Sequence, residues 1–235
     1  MNSGQTAASM NVVIFGATGM VGQGALRECL LDPDVRQVLA IGRRPMGRTH
    51  EKLRELVLPD PGDLSGVEPE LRGLDACLFC VGASSAGMNE ESYTRLTFDL
   101  TLAVARTVVR LNPGMTFVFV SGMGTDSTER GRLMWARVKG RTENALRQLP
   151  FKRTYMMRPG VIIPLHGIQS RTTWIRVLCT LTRPFHRGLR TLLPNHVTTT
   201  EILGRAMIAI ARHGYPRWIL ETRDINTAGA SERSH

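Results

Sequence analysis

Asn11-Val12-Val13-Ile14-Phe15-Gly16-Ala17-Thr18-Gly19-Met20-Val21-Gly22 joins a short apolar run to a glycine-rich turn. The run from Asn11 to Phe15 is short, apolar and rich in β-branched residues, which fits a strand buried on both faces. From Gly19 to Leu31 the apolar residues Val21, Ala25, Leu26 and Leu30 recur at helical spacing, and the pattern stops before Pro33. Strand, glycine turn and helix in that order are the context in which a glycine triplet holds the diphosphate of a dinucleotide. Gly16 is expected to make the tight turn, Gly19 to let the backbone approach the diphosphate, and Gly22 to allow close helix packing. Thr18, Met20 and Val21 complete the expected cofactor loop, whose free N–H groups and helix dipole favour phosphate.

Outward from this stretch, Val35 to Ile41 predicts a second strand. Leu53 to Leu58 predicts a weaker third, closed by the turn-rich Pro59 to Asp63. Leu74 to Val81, Thr116 to Val120 and Thr154 to Met157 predict the fourth, fifth and sixth. Glu90 to Leu111 and Leu133 to Leu149 predict helices, stopped by Asn112-Pro113-Gly114 and by Pro150. Strands alternating with helices predict an α/β fold with a doubly wound parallel sheet, and such sheets bind ligands beyond the carboxyl ends of their strands. Gly16, Gly42, Gly82, Gly122 and Gly160 all fall at such ends. Farther on, Trp174 to Thr182 predicts a short helix, Thr198-x-x-Glu201 a capping box opening a helix to about His213, and Trp218 to Glu221 a last strand. The expected organisation is a disordered lead-in over 1–10 and a dinucleotide-binding core over 11–158. A small substrate or cap region follows over 159–225, packed on the same domain, and then a tail over 226–235, polar from Ala228.

The chain has 235 residues, 42% hydrophobic and 21% charged, which is ordinary for a globular domain. No apolar run reaches the ~20 residues that span a bilayer. The first ten residues lack a basic start and an apolar stretch, so they do not read as a signal peptide, and the expected location is cytoplasmic. Four cysteines make no disulfide framework. Cys77 and Cys80 are three apart on a strand and so point to opposite faces, which predicts buried thiols rather than a redox or metal pair. His166, His186 and His196 lack ligand spacing, and no metal is expected.

The net charge is +10. Its arginines are scattered, without a dense basic block interleaved with aromatics, so no nucleic-acid partner is expected. A solvated basic surface accounts for most of the charge, and a phosphorylated cofactor for some of it. The stretch 171–190 combines Trp174, Ile175, Leu178 and Leu181 with five arginines, and reads either as a substrate cap or as a surface for a membrane or protein partner. An oligomer is left open.

The end of the second strand speaks to cofactor choice. An NAD site places a carboxylate there, about twenty residues beyond the glycines, to accept from the ribose 2′-hydroxyl. Here Gly42 is followed by Arg43 and Arg44, which would attract a 2′-phosphate rather than repel it. NADP is therefore expected over NAD, with Arg43 on the phosphate and Arg44 on adenine or in solvent.

Taken with Cys80-Val81-Gly82-Ala83-Ser84, Val120-Ser121-Gly122, Lys139-Gly140 and Arg158-Pro159-Gly160, the glycine turn resembles an atypical short-chain dehydrogenase/reductase. The nearest resemblance is to the small Rossmann-fold NAD(P)-binding proteins related to the Tat-interacting oxidoreductase and to NAD-dependent epimerase/dehydratases, over residues 11–225. The resemblance implies cofactor contacts from Val81, Gly82, Ala83, Pro159, Gly160 and Val161, and one of Asp60 and Asp63 beside adenine. On the residues alone either aspartate can be a turn residue.

The family's catalytic pair is Tyr-x-x-x-Lys. The matching stretch here is Trp135-Ala136-Arg137-Val138-Lys139. Lys139 is expected to hold the nicotinamide ribose, whereas an indole cannot cycle a proton near neutrality. Ser121 is the candidate for orienting a substrate, with Ser84 and Ser85 also near the cofactor region or simply bonding their loops. Tyr155 reads as core, and Tyr93 finds no place in the site. Met123, Met134, Met156 and Met157 fit either an adaptable pocket or the core. The implied function is an NADP-dependent oxidoreductase or epimerase-like enzyme on an unknown small carbonyl or alcohol, and the alternative is a non-catalytic NADP(H)-sensing or partner-binding protein.

Overall fold

Side chains alternate along each strand, and here both faces are apolar, so the sheet has to be covered on both sides. In the computed structural model, which describes residues 9–168 and 195–231, Val12 and Ile14 of β1 (Met10–Phe15) enter one buried cluster. Val13 and Phe15 enter a second cluster on the other face. Cys77 belongs to one cluster and Cys80 to the other, so the pair straddles the sheet as its spacing implies. Burial raises both thiols, Cys80 to about 12, which keeps them protonated.

The chain continues through α1 (Met20–Leu31), β2 (Val35–Gly42), β3 (Leu53–Val57), a 3-10 segment (Ser65–Leu71) and β4 (Ala76–Phe79). A helical stretch follows as α2 (Glu90–Thr94), a π-helical turn (Arg95–Asp99) and α3 (Leu100–Leu111). Next come β5 (Thr116–Val120), α4 (Met134–Arg147), β6 (Arg153–Arg158) and β7 (Val161–Ile163). After residue 194 the described chain gives β8 (Val197–Thr199), α5 (Thr200–His213), β9 (Ile219–Glu221) and α6 (Thr222–Ser231). Seven strands form one parallel sheet in the order β3-β2-β1-β4-β5-β6-β9. The chain thus runs outward from β1 in one direction and from β4 in the other. That reversal opens a crevice between the carboxyl ends of β1 and β4. The doubly wound Rossmann architecture expected from the sequence is present.

Phe15, Phe79, Phe117 and Phe119 pack on the face covered by α3 and α4, with Phe79 stacked at 5.7 Å from Phe15 and 6.0 Å from Phe117. The opposite face is covered by α1, α5 and α6. These helices approach closely because glycines stand at their crossings. A Cβ on Gly24 would lie 2.6 Å from the Thr200 carbonyl oxygen, and one on Gly229 would lie 2.3 Å from that of Ile202. Glu28, buried in α1, accepts from Arg205 of α5 at 3.0 Å, and Arg212 reaches Asp32 at 2.7 Å, so ion pairs fix the same crossing.

Several sequence expectations shift. The last strand expected at Trp218–Glu221 is present as β9 and pairs with β6 in parallel, so the sheet extends beyond Arg158. The tail beginning at residue 226 is helical to Ser231, because Ala228 and Gly229 bury against the neighbouring helix. A second, two-stranded parallel sheet of β7 and β8 escaped notice, each strand being only three residues. The capping residue is Thr199, whose Oγ1 accepts from Ile202 N at 3.1 Å; Thr198 lies in β8, and Glu201 pairs instead with Arg205 and His166. The expected Trp174–Thr182 helix and the basic segment 171–190 lie outside the described residues.

Gly24→Ala is expected to lower stability by about 1–2 kcal/mol in urea unfolding, because overpacking a backbone contact outweighs the gain in helix propensity. Gly66→Ala, where a Cβ meets nothing within 4 Å, serves as the neutral control.

Candidate functional site

The glycine turn closes by a hydrogen bond from Gly19 N to Gly16 O at 2.9 Å. Gly16 has φ +80°, and a Cβ there would lie 2.8 Å from the carbonyl carbon of Cys80 and from Val81 N. A Cβ on Gly22 would lie 2.1 Å from Gly16 O. Only at Gly19, where the nearest such contact is 3.4 Å, is there room in front of the backbone. Gly19 caps α1 without a side-chain hydrogen bond, so the first amides of the helix, Met20 and Val21 among them, face this space uncapped. The three glycines therefore meet three different steric surroundings.

A cleft of about 600 Å³ lies over this turn. Gly16, Thr18 and Gly19 form one wall, Gly42, Arg43 and Arg44 the end of β2, and Val81, Gly82 and Ala83 the loop after β4. Both arginines are exposed, and neither has a carboxylate partner among the described residues. Asp60 lines the cleft while its Oδ1 accepts from Gly62 N at 2.8 Å, so it is both a turn residue and a wall residue. Asp63 instead holds Ser65, away from the cleft wall. Leu96 and Leu100 supply an apolar wall that the sequence reading missed. Leu96 is 41% exposed and sits in the π-helical turn, a local widening frequent at functional sites. No signal in the residues marked this pair, since the exposure of a leucine is set by the fold.

A second group of residues lies beyond β5. Lys139 reaches back from α4 and donates to Val120 O at 3.4 Å, with its ammonium 5.6 Å from the centre of the Phe119 ring. Loss of hydration lowers it to about 8, against the opposing pull of Glu143 one turn later. Ser121, next in the chain after Val120, is buried, with its Oγ 2.8 Å from Thr125 Oγ1. Trp135 lies against the loop after β5, its Cη2 3.5 Å from where a Cβ on Gly124 would stand. Gly140 allows that loop to lie on α4, since a Cβ there would be 1.8 Å from Asp126 O. Asp126 then accepts from the Thr128 hydroxyl and from Gly131 N, and these bonds hold its carboxyl down at about 2.

Pro159 and Gly160 are tied to both neighbouring strand ends. Met123 N donates to Pro159 O at 3.0 Å, Gly160 N to Thr222 Oγ1 at 2.9 Å, and Val161 N to His196 O at 2.8 Å. Beneath them Arg158 makes a bidentate pair with the fully buried Glu143, binds Ser127 Oγ and approaches Glu221 at 3.6 Å. The sequence reading used Arg158 only as part of a motif; its buried partner, fifteen residues away, is a tertiary fact.

Of the other expectations, Tyr155 is core, its OH accepting from Tyr215 N at 2.8 Å, and Tyr93 is buried away from the cleft wall. Met156 and Met157 pack in the two opposite cores, while Met123 is exposed. Ser84 accepts from Ala86 N within its own loop. The cleft and the Ser121–Lys139 group thus form along neighbouring strands β1, β4 and β5.

A sheet of this order, with a glycine turn at its reversal and a lysine reaching back from the helix after β5, has the Rossmann fold that solved short-chain dehydrogenase structures share. Protein fmp52-1, mitochondrial, of Aspergillus oryzae is 30% identical over 242 residues, covering 95% of this chain and 99% of that one. The chain belongs to the Fmp52 family. Protein HTATIP2 of Rattus norvegicus is 26% identical over 155 residues, 65% of this chain and 63% of the other. No family model matches the sequence.

Among solved structures, the Bordetella bronchiseptica enzyme WbmF, in complex with NAD+, has the same fold with a TM-score of 0.67 at 16% identity, over 97% of this chain and 79% of that one. L-sorbose reductase from Gluconobacter frateurii, complexed with NADPH and L-sorbose, gives 0.63 at 13% identity over 93% and 97%. The expectation of a cytoplasmic protein is overturned, because the Fmp52 relatives are named as mitochondrial proteins. That expectation rested on the first ten residues not reading as a secretory signal, which does not bear on an organellar address.

Replacing Arg158 by Leu is expected to cost about 3–5 kcal/mol in chemical unfolding, because it strands the buried Glu143 carboxylate. The double change Arg158→Leu with Glu143→Leu is expected to recover most of that loss.

Proposed function

We propose that the cleft at the β1/β4 reversal binds a nicotinamide dinucleotide, NADP(H) in preference to NAD(H). On this reading the protein is an oxidoreductase or epimerase-like enzyme acting on a small carbonyl or alcohol. The observation that carries it is the end of β2: Gly42, Arg43 and Arg44 border the cleft, and neither guanidinium is engaged by a carboxylate among the described residues. A carboxylate in that place would select a free ribose hydroxyl, and guanidinium groups select phosphate. Gly16, Thr18, Gly19, Met20, Val21 and Gly22 would cradle the diphosphate, Asp60, Leu96 and Leu100 would flank adenine, and Val81, Gly82 and Ala83 would run along the other side. Pro159, Gly160 and Val161 would border the nicotinamide end. The names of the Fmp52 relatives support a mitochondrial place of action.

Hydride chemistry is what such a cofactor supplies when bound. Lys139 would hold the nicotinamide ribose through an ammonium already stripped of water, and Ser121 would contact the substrate. Trp135 takes the place of the family's tyrosine four residues before Lys139, and its indole can donate a hydrogen bond but cannot deliver and recover a proton. This substitution also supports a second reading, a non-catalytic NADP(H) sensor that signals through a partner surface.

Fluorescence titration is expected to show NADPH bound more tightly than NADH. Arg43→Ala should weaken NADPH about 10–100-fold, the worth of a charge-assisted bond to phosphate, while leaving NADH unchanged. Equal affinities in the parent protein would refute the phosphate assignment. Because binding favours a charged Lys139, and that group titrates near 8, NADH affinity should be level below pH 7 and fall as pH rises through 8. Lys139→Met should remove this dependence. Reductase activity gained in Trp135→Tyr and absent from the parent would favour the sensor reading.

A further inference from the structure

A threonine hydroxyl carries one proton, and the proton of Thr125 is committed. Its Oγ1 lies 2.7 Å from the Gly122 carbonyl oxygen, which can only accept. Ser121 Oγ lies 2.8 Å from the same Thr125 Oγ1. The only proton left for that contact belongs to Ser121. Both hydroxyls are buried, each residue being 7% exposed, so water is poorly placed to substitute for either bond. Turning the Ser121 proton outward would leave two buried oxygens at hydrogen-bond distance with no proton between them, which is unfavourable. Ser121 therefore presents lone pairs, and no other group among the described residues takes them up.

We propose that Thr125 fixes the Ser121 hydroxyl as a hydrogen-bond acceptor, so that the site beside Lys139 takes an uncharged, largely apolar alcohol by its O–H in preference to the matching carbonyl compound. The inference rests on the proposed reading of this corner as the substrate end of a dinucleotide cleft. An alcohol oxygen is complementary to the pair beside it: it donates to Ser121 and accepts from the Lys139 ammonium, whose other protons are not used by Val120 O. A carbonyl oxygen can only accept, and it would meet the Ser121 lone pairs with no proton between.

The surroundings favour an apolar body on that alcohol. Met123 is 44% exposed and Val161 54% exposed, and they flank the strand ends on either side of Gly160. The Met123 methyl lies 3.3 Å from where a Cβ on Gly160 would stand, and the Trp135 ring lies against Gly124. The nearby carboxylates of Glu143 and Glu221 both face Arg158, so neither is free to select a cationic substrate.

Thr125 acts here as a positioning residue through Ser121, and its removal has a signature that simple loosening of the loop lacks. Cyclohexanol and cyclohexanone serve as a matched pair of probes, titrated against protein carrying ¹³C-labelled methionine methyls and read at Met123. The titration is run with and without NADP+. The parent protein and Thr125→Ser are expected to bind the alcohol about tenfold more tightly than the ketone, the worth of one hydrogen bond. Thr125→Val, which frees the Ser121 proton, should remove or reverse that preference.

An unchanged preference in Thr125→Val overturns the proposal, as does the absence of any response to either probe. An equal loss of both probes, showing a structural role alone, overturns it too. Failure of the dinucleotide reading shows separately, as NADP+ leaving the amide signals of Gly16 to Gly22 unmoved, and the alcohol-to-ketone ratio measured without NADP+ still decides the role of Thr125.

Discussion

The whole arrangement depends on one backbone-on-backbone contact, the seating of Gly16 against the end of β4. A Cβ at Gly16 would lie 2.8 Å from the main chain at Cys80 and Val81, and one at Gly22 would strike the Gly16 carbonyl. With both side chains absent, β1 can pass directly into α1 while the loop after β4 closes beside it. That brings the uncapped amides of α1, the end of β2 and the Val81–Ala83 loop around one space. The remaining layers serve this geometry. Phenylalanines of β1, β4 and β5 hold the three strands in register on one face, and α1 is clamped on the other by α5 through Gly24 and the Glu28–Arg205 pair.

Beyond β5 the organisation is of a different kind. There a loop is held in place by polar bonds rather than by apolar packing. Asp126 gathers Thr128 and Gly131, Gly140 lets the loop rest on α4, and Arg158 with Glu143 braces α4 against β6. The consequence is that Ser121, Thr125 and Lys139 sit in a desolvated corner with their hydrogen bonds largely dictated by neighbours. In such surroundings an unmade hydrogen bond is costly, so the direction of each proton matters as much as the identity of the residue.

Much of this was legible in the residues. The glycine spacing between a strand-like run and a helix-like run fixed the turn, its neighbours and the parallel sheet, because each glycine answers a local steric demand. Gly42-Arg43-Arg44 was legible for the same reason, as the charge at a strand end is a local property. Other short strands were less so: β7 and β8 have three residues each, too few for a periodic signal, whereas β9 falls within the expected Trp218–Glu221 strand. The helix from Thr222 was read from residue 226 as tail, since its small residues pack well only when another helix is there to receive them.

The sequence by itself determined the glycine turn, the strand and helix order, the opposed cysteines and the placing of Trp135 four residues before Lys139, all of which follow from spacing, side-chain volume or chemistry within a few residues. Only the tertiary structure decided that Glu143 pairs with Arg158, that Leu96 and Leu100 wall the cleft, that β9 joins β6, and that the Ser121 and Thr125 hydroxyls meet in a buried hydrogen bond. Each of these is a contact between groups whose separation and orientation are set by the packing of whole elements. No local pattern encodes them, because the physical demand they satisfy, a buried charge, a bare sheet edge or an unshared proton, arises only once the chain has folded.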